Sequence, residues 1–189
     1  MTAFDFFFSL FGLILGLSVA VVITGLTDIL RERHRLPIGW LTPMLGLFLM
    51  FDLTTQWVNS WTGLKSIEVA YGPFLAAMII AGSYFFAASM VFPKSASEWR
   101  SLDDYYLRNY RFVIGGVFLA NLGVSVMAGI IGQSLPAFLH AFIRSQFSVI
   151  FWVTLIAMLI VPKRGFQLAG LAVLLALAVY ALVALWHPR

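Results

Sequence analysis

The sequence predicts an all-α integral membrane protein, a bundle of six transmembrane helices with a short cytoplasmic interfacial helix. Three observations predict it. Of 189 residues, 61% are hydrophobic and 11% are charged, and the mean hydropathy of +0.95 lies far above that of a soluble domain of this length. The apolar residues fall in six blocks, each long enough to cross a bilayer as a helix. The basic residues gather in alternate connections, as they do in polytopic membrane proteins.

The six blocks are Phe6 to Leu26, Trp40 to Trp61, Pro73 to Phe92, Phe112 to Gly132, Ser145 to Val161 and Gly165 to Trp186. The opening MTAFDFFF lacks a basic leader and runs into an apolar stretch longer than a usual signal-peptide core, so the first block is expected to remain as a span. In the second block Pro43 suits the first turn with Thr42 as its cap. Pro73 opens the third, and Pro93 and Pro162 end the third and fifth. Small residues recur at four-residue steps in Gly12, Gly16 and Ala20, and comparable sets occur at Ala77 and Ala81 and at Gly116, Ala120 and Gly123. Such faces let helix backbones approach closely. The chain reads as one polytopic domain over residues 1–189.

Orientation follows from charge. Arg31, Arg33, Arg35, Lys94, Arg100, Arg108, Arg111, Lys163 and Arg164 fall on one side, while Lys65, Arg144 and Arg189 fall on the other. The side richer in Lys and Arg is cytoplasmic, which places both termini outside, in the periplasm if the membrane is a bacterial inner membrane. In the longest cytoplasmic connection Trp99, Leu102, Tyr106 and Tyr110 stand at near-helical spacing between acids and arginines, the pattern of an interfacial amphipathic helix. Two capping boxes, Ser95 with Glu98 and Ser101 with Asp104, can each start a helix there. The paired acids Asp103 and Asp104 read as a solvated face balancing nearby arginines.

Composition excludes several functions. Without cysteine there is no disulfide, thiolate metal site, iron–sulfur cluster or thiol nucleophile. His34, His140 and His187 all lie outside the middle of any block, so a buried haem lacks axial ligands. No block contains a lysine for a retinal Schiff base, and no cofactor is expected. The net charge of +4 reflects membrane orientation and not nucleic-acid binding. His140 and Arg144, at i and i+4, are the best candidates for a site at the outer surface, but no nucleophile, base and charge stabiliser cluster, so an enzyme is disfavoured.

The chemistry-bearing feature is FDLTTQWVNSW. Asp52 is the one ionisable residue of the second block, and Asp52, Thr55, Gln56 and Asn59 follow at i, i+3, i+4 and i+7, which puts all four on one helical stripe. A charge at bilayer depth costs roughly 3 kcal/mol on insertion scales, so Asp52 must be functional, paired or protonated. Asn121, with Ser125 one turn on, supplies a partner in the fourth block. One reading is an interhelical hydrogen bond between a protonated Asp52 and Asn121, worth roughly 1 kcal/mol. The other is a cavity opening outward, lined by Asp52, Thr55, Gln56, Asn59, Asn121 and Ser125. The second leads to a small ion or small-solute channel or transporter, in which a homo-oligomer would gather one carboxylate per subunit. The alternative is a non-catalytic membrane subunit that binds a larger complex. Membrane lipids, further copies of the chain or partner membrane subunits are the expected partners.

Overall fold

A computed structural model describes residues 3–34, 37–63, 70–95, 98–131 and 145–185. Among the described residues six α-helices and no strands are formed: α1 (Ala3–Arg31), α2 (Leu41–Gly63), α3 (Tyr71–Ser89), α4 (Leu102–Ile131), α5 (Gln146–Ile160) and α6 (Arg164–Leu185). Among the described residues four stretches are long and apolar enough to cross a membrane: Phe8–Arg31, Tyr71–Ser89, Leu102–Met127 and Arg164–Val183. The second and fifth blocks of the sequence fall short of that measure. The polar stripe of Asp52, Gln56 and Asn59 lowers the hydropathy of α2. With 15 residues, α5 extends only about 22 Å at 1.5 Å per residue. The exterior of the bundle is apolar, with Leu13, Ile79, Val153, Ile160 and Val183 all more than half exposed. Such a surface suits a hydrocarbon surrounding and would drive association in water.

Successive helices alternate in direction, and α2 meets α4 across a ring in which α1, α3, α4, α5, α6 and α2 each touch the next. Small residues let α3 and α4 pack closely. Ala77 and Ala81 are buried on α3, and a Cβ added at Gly116 of α4 would stand 3.0 Å from the methyl of Ala87 and 3.2 Å from the Ser83 carbonyl. The corresponding face of α1 works differently. Gly12 receives the indole of Trp57, and Ala20 is exposed, so this face seats a side chain where close helix contact was expected.

Among the described residues no separate α-helix precedes α4 in this connection. Residues from Leu102 onward are the first turns of α4, opened by Ser101, whose Oγ accepts from the Asp104 amide at 3.1 Å. Leu102, Tyr106 and Tyr110 are buried in the core. An apolar stripe at helical spacing looks the same whether it covers a bilayer surface or a neighbouring helix, and here neighbouring helices cover it.

This end of α4 ties the bundle together where the basic residues cluster. Asp103 is buried and not solvated. Its Oδ1 accepts from the Leu41 amide at 3.1 Å, and its Oδ2 pairs with the guanidinium of Arg164. The cap of α2 is therefore Asp103, from another helix. Thr42, expected in that role, instead donates its hydroxyl to the Leu102 carbonyl at 3.0 Å. Gly39 has φ of 64°, and a Cβ there would overlap the Asp103 carboxylate, so both the left-handed backbone and the close approach require glycine. Tyr105 donates to the carbonyls of Met90 and Phe92 beyond α3. Tyr106 donates to Gln167 Oε1 at 2.8 Å, and Gln167 Nε2 donates to the carbonyls of Met158 and Val161 at the end of α5. Side chains from α4 and α6 thus satisfy backbone groups that helix ends leave open. The basic end is a closed polar seam.

Candidate functional site

Among the described residues, the other half of the bundle is open. A cavity of about 670 Å³ lies between α2, α4, α5 and α6, and Asp52, Thr55, Gln56, Asn59, Asn121 and Ser125 all line it. The stripe on α2 presents one face, as its i, i+3, i+4, i+7 spacing dictates, and Asn121 and Ser125, four residues apart on α4, face it. Phe48 and Leu174 also line the cavity, and α5 adds Phe147, Ser148, Phe151 and Trp152.

Asp52 sits where α2, α3 and α4 meet. Tyr84 donates its hydroxyl to Asp52 Oδ2 at 2.8 Å, and Asn121 Nδ2 donates to the same oxygen at 3.0 Å. The Asn121 amide is also 3.0 Å from the Tyr84 hydroxyl oxygen and 3.0 Å from the carbonyl of Val117. One amide hydrogen satisfies Val117 while the other is shared between Tyr84 and Asp52, so the Tyr84 proton is directed at the carboxylate. Both donors converge on Oδ2. Among the described residues no hydrogen bond reaches Oδ1 of Asp52, which makes it the oxygen able to exchange a proton or meet a cation.

The pairing of Asp52 with Asn121 was legible in the sequence, whereas Tyr84 was not singled out. A signal existed: it is the one tyrosine in the third apolar block, and a buried tyrosine hydroxyl needs a partner. The remaining polar groups differ in how they are engaged. Thr55 donates to the Phe51 carbonyl of its own helix at 2.9 Å. Gln56 is 4% exposed, and its side chain makes no hydrogen bond among the described residues, with a buried Nε2 left without a partner. Leaving such a group unsatisfied costs about 1–3 kcal/mol.

Aromatic rings line much of the remaining wall. Phe147 of α5 stacks on Tyr180 of α6 with centroids 4.4 Å apart, and Phe151 lies edge-on to Trp152. Among the described residues the cavity has no Lys, Arg or His in its lining, so the carboxylate has no counter-charge from them. Among them also, no three His, Cys, Asp or Glu residues group as a metal site would require. His140 and Arg144 lie outside the described residues, as do His187, Lys65 and Arg189.

Compared with family models, curated proteins and solved structures, the chain finds no match. The chemistry of the cavity is left to indicate a function.

Proposed function

We propose that this chain crosses the membrane six times, with its basic seam in the cytoplasm and both termini outside, and that it binds a small solute or ion in the cavity and passes it across the bilayer. The membrane is a bacterial-type inner membrane in this reading. The observation that carries the proposal is the division of labour at Asp52. One carboxylate oxygen is fixed by Tyr84 and Asn121, and the other accepts no hydrogen bond from the described residues, in a cavity lined by the stripe on α2. A packing hydrogen bond alone would account for Asn121. It would not account for Gln56, Asn59 and Ser125 lining the same space.

The closed seam at one end and the cavity in the other half of the bundle suit a carrier held in one of its two states, the general requirement for alternating access. The six-span reading includes α5, short as it is, because Lys163 and Arg164 at its end can extend to an interface. Asp52 is enclosed by helices of a single chain, which favours a site within one protomer over a ring of carboxylates.

A second reading has a specific observation behind it. Apolar grooves run along the exterior between α1 and α2, at Gly12, Gly16 and Trp57, and between α3 and α4, at Gly82, Gly115 and Phe112. Helices of a partner membrane subunit would fit them. Flux assays separate the readings. Purified protein in liposomes should support solute or ion flux that Asp52→Asn abolishes, and absence of any protein-dependent flux would favour the subunit role.

A further inference from the structure

We infer that the cavity takes a monovalent organic cation with an apolar, ring-sized body and a hydrogen-bond acceptor, a class of ligand that rests on the proposed solute-binding role of the same site. Size argues first. The cavity of about 670 Å³ falls within the range of about 300–1,000 Å³ that holds organic ligands, far more than a bare ion fills.

The donor set argues second. A hard divalent ion takes about six or more oxygen ligands, whereas the described residues bring a single carboxylate to this lining, with Oδ2 already occupied by two donors. That carboxylate faces no Lys, Arg or His among the described lining residues. A ligand with one positive charge balances it, while a second charge would stay unpaired in a medium of low dielectric.

The walls argue third. Phe48, Phe151, Trp152 and Tyr180 line the cavity with Asp52, and ring faces attract a desolvated cation as well as an apolar body. Gln56 supplies the last element. It lines the same cavity one helical turn from Asp52, and its Nε2, itself buried, has no partner among the described residues. Residues at i and i+4 lie about 6 Å apart, and the soft terminal amide torsion lets Gln56 offer an N–H to an acceptor at about that distance from the cationic centre.

The test is equilibrium binding of radiolabelled benzoylcholine to the purified chain in phosphatidylcholine nanodiscs. Its uncharged isostere, 3,3-dimethylbutyl benzoate, carries carbon in place of the quaternary nitrogen. Saturable binding that the isostere does not displace at 100-fold excess is expected. Asp52→Asn should weaken it at least tenfold. Gln56→Leu should weaken benzoylcholine several-fold yet leave benzyltrimethylammonium, which lacks the acceptor, unchanged. Equal affinity for the isostere overturns the inference and points to an apolar or lipid-filled cavity, a result that wild-type protein alone delivers even if Asp52→Asn does not fold. Flux of sodium or protons that depends on Asp52, without binding of either organic cation, overturns the inference but leaves transport standing. Asp52-dependent binding without flux in liposomes does the reverse.

Discussion

Tyr84 directs its hydroxyl at Asp52 Oδ2 across 2.8 Å from a position with no solvent exposure, so one oxygen of the carboxylate is a structural atom, while the other accepts no hydrogen bond among the described residues. The two substitutions at this contact should therefore separate. Asp52→Asn keeps a carbonyl oxygen to accept from Tyr84 and Asn121, with its amide where Oδ1 stood. Thermal unfolding in detergent is expected to change by less than about 1 kcal/mol. Tyr84→Phe preserves the ring but removes the proton donated to Oδ2 and leaves a buried carboxylate oxygen under-satisfied, at a cost of about 1–3 kcal/mol. A larger loss for Asp52→Asn than for Tyr84→Phe would mean that the charge itself holds the bundle.

Gln56 makes the opposite prediction. Its Nε2 is buried without a partner among the described residues, so Gln56→Leu removes an unsatisfied group and replaces it with apolar atoms of similar volume. The unliganded protein should gain about 1 kcal/mol, read as a higher midpoint of thermal unfolding. A fall in the midpoint would show that the amide has a partner in the membrane.

At the basic end, the cap and the ion pair on Asp103 can be told apart. Asp103→Ala strips the Leu41 amide of its acceptor and should cost about 1–2 kcal/mol, the usual loss for a helix cap. Arg164→Gln removes only the pairing, and the Arg164 side chain is 67% exposed, so the loss should stay below about 1 kcal/mol. Denaturation of the two variants side by side checks the order. Equal losses would place the stabilisation in the charge pair.

Orientation is open to direct labelling because the chain has no cysteine. A cysteine at Glu98 should resist an impermeant thiol reagent added to intact cells and react once the membrane is opened, and one at Lys65 should react from outside. Reaction at Glu98 in intact cells would invert the proposed topology.

Much of the helical architecture and the polar stripe could be read directly, for definite reasons. Spacing of i, i+3, i+4 and i+7 places Asp52, Thr55, Gln56 and Asn59 on one face whatever surrounds the helix, and an amide in an apolar block, as at Asn121, demands a polar partner. Periodicity does not say which neighbour a face meets. Trp99, Leu102, Tyr106 and Tyr110 therefore read as a membrane-surface stripe, although Leu102, Tyr106 and Tyr110 pack inside. Asp103 read as solvated because nothing local reveals that the start of α2, some sixty residues earlier, closes over it. The rings of Phe151, Trp152 and Tyr180 line the cavity for the same non-local reason: only the packing of α5 on α4 and of α6 on α2 brings them to one space with Asp52.

The seam at the start of α4 also bears on how the chain is made. The carboxylate that caps α2 comes 62 residues after the amide it serves, and Tyr105 comes 15 residues after the Met90 carbonyl that it satisfies. A ribosome delivering the protein from its N-terminus thus releases α1, α2 and α3 with those helix ends still seeking acceptors and donors. Arrival of α4 closes them together, and Tyr106 then waits for Gln167, 61 residues further on. Biogenesis accordingly has a commitment point. Nascent chains halted before Leu102 should stay accessible to membrane proteases, and those that include α4 should begin to resist them.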